Sequence, residues 1–322
     1  MSKSRSLMGT GQELILQTIE RDVPVLAIGL PYMMRFIRPS RITFIASARC
    51  LAKIQASGLV SPGSRLLDED DVVPGLSLGL VQDLLERRGA DRGRAGWYLK
   101  QILNLAYATR EDAGPHYLTW DSDSIPLRPI EFFDGRGRIL YARKSERHRA
   151  YFDTMQRLLG IGRLARFSFI AEHMMFDRAV SRDLLAAIMK GEPFGGAALA
   201  TRIIGAVADE HLSRSGFAEY ETYGTWALAT RPETIAIRKM RSSRRGTAFF
   251  GRSPGVAELF TLSTRYQWAT FEAWPVANLK SRVRQGVLGR LGRIWVRFAL
   301  RTQPSAFAEF RRIGAIEPVI PT

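Results

Sequence analysis

Residues 13–19 (ELILQTI) read as a β-strand, residues 23–37 as a helix that tolerates Pro24 in its first turn, and residues 41–47 (RITFIAS) as a second strand. Strand, helix and strand at this spacing form a βαβ unit, which joins parallel strands through a right-handed crossover. A chain that begins this way is committed to an open, mostly parallel sheet covered by helices. Such sheets bind ligands beyond the carboxyl ends of their strands, and the loop leaving the first strand lies at that edge.

The rest of the chain adds elements of the same kind. A short strand starts at Arg65 and runs into the acidic cluster 68–71, and residues 82–94 read as an exposed helix and linker. Residues 96–106 (GWYLKQILNLA) form a helix. Tyr98, Ile102 and Leu105 make one stripe, and Trp97, Gln101 and Asn104 an adjacent polar one that suits the wall of a ligand site. Strands are expected at 117–120, 138–142, 166–171 and 234–237. Helices are expected at 151–159 (ended by Gly160), from the N-cap Asp177 to Lys190, at 197–212, from 217 onward and at 256–271. The second half is therefore α-rich.

The chemistry concentrates in Tyr117-Leu-Thr-Trp-Asp-Ser-Asp-Ser-Ile-Pro126. An apolar strand runs into two carboxylates one residue apart, and Pro126 limits further ladder bonding. Residues i and i+2 of an extended chain share a face, so Asp121 and Asp123 can hold one hard cation, Mg²⁺ or Mn²⁺, against a diphosphate. The bland reading is a solvated turn after an edge strand. His173, after the expected strand 166–171, is the best third ligand among the four histidines, since Mn²⁺ accepts imidazole. Glu219 and Glu221 fall in the first turn of a helix and are candidates for acid–base work. Two helical positions apart they point in nearly opposite directions, so only one can face a site.

A net charge of +16 asks for an anionic partner. Half of it lies in residues 280–312, where nine Lys or Arg face one acid, Glu309. Leu288, Leu291, Ile294 or Trp295, and Phe298 recur there at helical spacing, with Arg290, Arg293, Arg297 and Arg301 off the stripe. A basic amphipathic helix of this kind either lies on an anionic membrane surface or packs its apolar face on the body. Nucleic acid is disfavoured as a partner, because no binding module accompanies the arginines. The single cysteine, Cys50, excludes an internal disulfide and any multi-cysteine metal site. No apolar run is long enough to span a bilayer, and the segment after Lys3 and Arg5 is too interrupted for a secretory signal. The expected location is the cytoplasm, or the inner face of the plasma membrane.

A Walker phosphate loop and a G-x-S-x-G elbow are absent. A haloacid-dehalogenase-type phosphatase is excluded because Ile125 stands where Thr or Val is required and several elements precede the carboxylates. Four blocks carry a resemblance: GWYLKQIL at 96–103, YLTWDSDSIPLRPIEFF at 117–133, SFIAEHMMFD at 168–177 and FAEYETYG at 217–224. With these the chain resembles a bacterial family of glycosyltransferases with a nucleotide-diphospho-sugar (GT-A) fold. The resemblance spans about residues 12–275 and implies that Asp121 and Asp123 hold the metal against the donor diphosphate; from the residues themselves, Asp123, followed by the turn toward Pro126, is read as the direct ligand and Asp121 as shared between metal and donor ribose. The resemblance also implies that the Thr18–Asp22 loop approaches the nucleoside, that Trp97 and Gln101 line the donor site, and that His173 with Glu219 or Glu221 lies toward the acceptor.

The expectation is thus a GT-A-like α/β domain, a mostly parallel central sheet flanked by helices with an α-rich C-terminal part, over residues 1–275. A basic tail follows at 276–322. The expected activity is metal-dependent transfer of a hexosyl or related group from a nucleotide-sugar to a glycan or lipid-linked acceptor. The competing class is a non-enzymatic binding protein with a degenerate fold and a basic interaction surface.

Overall fold

The computed structural model describes residues 12–273 and 279–314, with 279–286 described by their backbone alone. Lys3, Arg5 and the tail's residues 276–278 lie outside the described residues.

The opening βαβ unit forms as expected: β1 (Glu13–Gln17), α1 (Val23–Phe36) and β2 (Arg41–Ala46). Then come α2 (Ala48–Ala56), β3 (Arg65–Asp68), α3 (Leu78–Glu86), α4 (Ala95–Ala106), β4 (His116–Trp120), β5 (Ser124–Pro126), β6 (Ile139–Ala142), α5 (Arg149–Leu159) and β7 (His173–Asp177). The central sheet runs β3-β2-β1-β4-β7. Its first four strands are parallel and β7 is antiparallel to β4. The chain winds one way from β1 to β3 and restarts on the other side of β1 with β4. A topological switch point therefore opens between the carboxyl ends of β1 and β4, where such sheets form a ligand crevice. β4 is an interior strand, so its end is not a turn at a solvated sheet edge. Burial on both faces explains the apolar run Tyr117-Leu118 and the fully covered Leu14, Ile15 and Leu16.

The second half adds α6 (Arg178–Met189), α7 (Gly196–Ala206), α8 (Asp209–Leu212), α9 (Glu219–Thr230), β8 (Ile235–Arg238), β9 (Ser242–Ser243), α10 (Gly246–Phe250), α11 (Val256–Ser263), β10 (Trp268–Thr270), α12 (Leu279–Thr302) and α13 (Pro304–Gly314). Asp177 caps α6 by accepting from the backbone N–H groups of Ala179 and Val180. Three expectations shift. The helix expected over 197–212 breaks at Val207, whose backbone is extended, into α7 and α8. The strand expected at 166–171 lies instead at β7, because the register is set by pairing with β4, while Ser168 makes only an isolated bridge to Lys144. The helix expected over 256–271 stops at Ser263, and β10 pairs with β5 and β9 in a second small sheet.

The tail is helical, and it packs on the body. Phe310 stacks between Tyr32 and Phe36 of α1 and Phe260 of α11, with ring centroids 5.4, 6.3 and 5.7 Å away. Gly292 of α12 sits so close to α10 that a Cβ would lie 2.8 Å from the Phe250 ring. Each buried aromatic ring contributes roughly 1.5–3 kcal/mol, so the docking is substantial.

Candidate active site

A cleft of about 700 Å³, counting its open mouth, opens at the carboxyl end of β4, beside the switch point. Six segments line it, two of them being Glu146 with Tyr151 at the start of α5 and residues 170–172 before β7. β4 delivers Asp121 at its carboxyl end, and the Asp121 N–H donates to Glu172 O (2.9 Å), the residue before β7. α4 contributes Trp97, Lys100 and Gln101, the start of α9 contributes Ala218, Glu219 and Tyr220, and Arg244 follows β9.

Lys100 ion-pairs with Asp121 Oδ1 at 2.5 Å. The chain then turns, with the Ser124 N–H donating to Asp121 O at 2.9 Å. The strand has already ended at Trp120, so it is this turn, and not strand alternation, that brings Asp123 near Asp121. Asp123 is half-buried. Burial, the Asp121 carboxylate and then Asp22 and Glu272 push its pKa up to about 7 against the opposing pull of Lys100.

Glu219 is nearly covered, at 6% exposure. Its Oε1 accepts from Asn104 Nδ2 at 2.8 Å, while Asn104 Oδ1 accepts from Gln17 Nε2 at 2.7 Å. Gln101 Oε1 accepts the Glu219 N–H at 3.3 Å. The polar stripe on α4 thus splits its work: Trp97 and Gln101 line the cleft and Asn104 orients Glu219. Burial raises the Glu219 pKa to about 7, opposed by the Asn104 hydrogen bond and Lys100. Glu221 points elsewhere, as helical geometry requires. Its Oε2 accepts from Ser168 Oγ (2.8 Å) and the Phe169 N–H (3.0 Å), holding the loop before β7. One turn on, a Cβ at Gly224 would lie 2.2 Å from the Phe169 ring, so only glycine lets that loop pass.

His173 is not brought to the carboxylates. It pairs with Trp120 across the β4–β7 ladder, so both side chains leave the face opposite Asp121. The imidazole stacks on Trp120 (4.7 Å) and meets Trp268 edge-on (4.7 Å). Burial, then Lys144 and Arg238, lower its pKa to about 3, which keeps it neutral. Among the described residues no three His, Cys, Asp or Glu side chains are grouped to hold a metal ion. Thr18 is buried, its N–H donating to Ile45 O at 3.1 Å, and Asp22 ion-pairs with Arg252; neither is part of the cleft wall.

Residues 35–276 match a family of unknown function, DUF6492. The chain belongs to that family. No curated protein matches the chain. Solved structures similar to this DUF6492 member include mouse xyloside xylosyltransferase 1 in its apo form, 14% identical with a TM-score of 0.39, covering 80% of this chain and 96% of that one. Another is core-mannan synthase A from Aspergillus fumigatus in an Mn/GDP form, 8% identical with a TM-score of 0.44, covering 86% and 83%. A third is the galactosyltransferase LgtC with donor and acceptor sugar analogues, 7% identical with a TM-score of 0.37, covering 96% and 98%.

Sequence reasoning passed over Lys100, Glu172 and Arg244. Lys100 had a legible signal: it is the one cation on α4, three residues after Trp97 and next to Gln101. Glu172 and Arg244 had none, since their place depends on long-range pairing. Glu172 Oε2 accepts from Trp268 Nε1 (2.8 Å) and ion-pairs with Lys144 (3.2 Å). Arg244 bridges Glu146 and Glu272 at 3.0 and 2.7 Å.

Proposed function

We propose that this protein is a metal-dependent glycosyltransferase that moves a sugar from a nucleotide-diphospho-sugar to a glycan or lipid-linked acceptor. The observation that carries this reading is the under-neutralised pair Asp121 and Asp123 just beyond the carboxyl end of β4. Two hard oxygen donors, one of them held partly protonated by burial and then by like charge, fit Mg²⁺ or Mn²⁺, which commonly take one or two protein carboxylates and fill the remaining positions from water and phosphate. Asp123 is the direct ligand; Asp121, with one oxygen committed to Lys100, shares its contacts with the donor ribose. The cation, when bound, would supply charge neutralisation for the leaving diphosphate.

The chain's own residues do the rest. Lys100 and Arg244 place two fixed cations on the wall, where donor phosphates need compensation. Trp97, half-buried in the cleft wall, gives an aromatic surface suited to a sugar ring. Glu219, held by Asn104 and poised near neutrality, takes the proton from the acceptor hydroxyl. Such a base is needed when configuration is inverted, so full turnover by Glu219→Gln assigns the retaining course instead.

Thermal-shift titration with a panel of nucleotide-sugars, with and without Mn²⁺, tests the reading. A Mn²⁺-dependent rise with one of them is expected, and it should vanish in Asp123→Ala. A response to nucleic acid alone, with none to any nucleotide-sugar, would replace the transferase with a binding protein.

A further inference from the structure

The exposed large apolar side chains are not scattered evenly. Of the nine in the described residues, four lie on α12: Val287 (52% exposed), Leu291 (52%), Ile294 (63%) and Phe298 (64%). Their spacing of four, three and four residues draws one stripe along the helix. This stripe is not the docked one. Trp295 and Ala299, with Gly292, face α10 and α11, about 100° around the helix from it. Trp295, counted at sequence level as an alternative member of the stripe, belongs to the docked side: its ring meets Tyr266 and Phe249, each at 6.3 Å.

Charge decides what covers the stripe. Residues 279–302 carry seven Lys or Arg and no acid. Arg290, Arg297 and Arg301 are exposed and lie along the edge of the stripe away from the docked face. On the body, Tyr266, which meets Trp295, also borders a groove lined by Arg143, Lys144, Lys239, Arg241 and Arg265. A second copy of the same face would set arginine against arginine. A nucleic acid would leave the four apolar side chains in water. An anionic bilayer satisfies both, with apolar side chains below the headgroups and guanidinium groups at phosphate level. No helix among the described residues is long and apolar enough to cross a membrane, so the geometry is one of lying on the surface.

We propose that the outward face of α12 seats the protein on an anionic lipid bilayer. α10 begins two residues after Arg244 and packs on α12, so the seated helix is linked to the cleft wall. The proposal does not depend on the transferase reading, because membrane binding requires no donor.

The test is co-sedimentation of the full-length protein with vesicles of phosphatidylcholine alone and of equimolar phosphatidylcholine and phosphatidylglycerol. Binding to the mixed vesicles only, weakening with salt, is expected. Leu291→Asn with Ile294→Asn removes apolar contact from exposed positions, so the fold should be unchanged by circular dichroism while affinity falls on the order of tenfold per residue. Arg290→Gln with Arg297→Gln should lower affinity about fivefold per residue for the mixed vesicles. Equal binding by all variants, or no binding by the parent, overturns the proposal. So does a parent dimer that Leu291→Asn with Ile294→Asn converts to monomer without changing vesicle binding.

Discussion

The two ends of the central sheet treat buried carboxylates in opposite ways. At the amino end of β1, Glu13 accepts from Arg41 Nε (3.0 Å), Thr43 Oγ1 (2.6 Å) and Tyr107 OH (2.7 Å). Burial pushes its pKa up, but those bonds outweigh burial and hold it below the ordinary carboxylate range. At the carboxyl end of the adjacent β4, Asp123 is raised to about 7 by burial and the Asp121 carboxylate, and Glu219 is raised to about 7 chiefly by burial. A carboxylate matched by donors and a guanidinium ties strands together. One left short of positive charge costs stability until something cationic or a proton arrives, and such sites are where ligands act.

Removing Asp123 should give the largest functional effect. Asp123→Ala is expected to lower metal-dependent transfer by on the order of 10²-fold or more, measured as turnover in added Mn²⁺. The same change relieves repulsion in the free protein, so its denaturation midpoint should hold or rise. Unchanged transfer would break the comparison at its functional end. Glu13→Gln tests the other end. It should cost about 2–3 kcal/mol in urea denaturation, because Arg41 and Arg65 lose their shared partner. The Mn²⁺-dependent thermal response to a nucleotide-sugar should persist. A Glu13→Gln protein that folds normally but ignores the donor would make both ends functional.

Much of this contrast was legible in the chain, and the losses have physical causes. β1, α1 and β2 follow from β-prone runs flanking a helix, with Pro24 harmless in its first turn. The carboxylate pair was visible, although a turn, and not alternation, gathers it. β7 was misplaced because His-Met-Met-Phe has no β-branched residue, whereas its pairing with β4 overrides propensity. The same pairing turns His173 to the face opposite Asp121, a fact of register that local sequence does not contain. The tail's amphipathicity was legible. That it carries two apolar faces, one docked through Trp295 and Ala299 and one exposed through Leu291 and Ile294, depends on where α10 and α11 lie.

Acid and base should separate the two ends by sign. Glu13 has a lowered folded pKa, so its contribution is present above the unfolded value of 4.5 and lost as pH falls through the folded one. Glu219 has a raised folded pKa, so its contribution is full below 4.5 and lost as pH rises to about 7. Glu219→Gln should therefore match the parent near the lower value and exceed its stability by about 1–3 kcal/mol above neutrality. Parent turnover should rise with pH through about 7 as the base ionises, and this rise should be absent in Glu219→Gln. A stability difference independent of pH would mean that Glu219 does not titrate there.

The smallest expected effect belongs to Glu221→Gln, and it constrains the assignment of the base. Glu221 lies two residues from Glu219, about 200° around the helix, and its oxygen serves Ser168 and Phe169. Burial already raises its pKa, so the charge is disfavoured before any mutation. A glutamine oxygen can accept the same two hydrogen bonds, which leaves only the difference between charged and neutral acceptors, about 1 kcal/mol. Turnover and its pH profile should stay at parent values while the denaturation midpoint moves slightly. If instead Glu221→Gln removed the rise near pH 7 and Glu219→Gln did not, the proton acceptor would lie on the loop side of α9, and the cleft described here would hold only the donor.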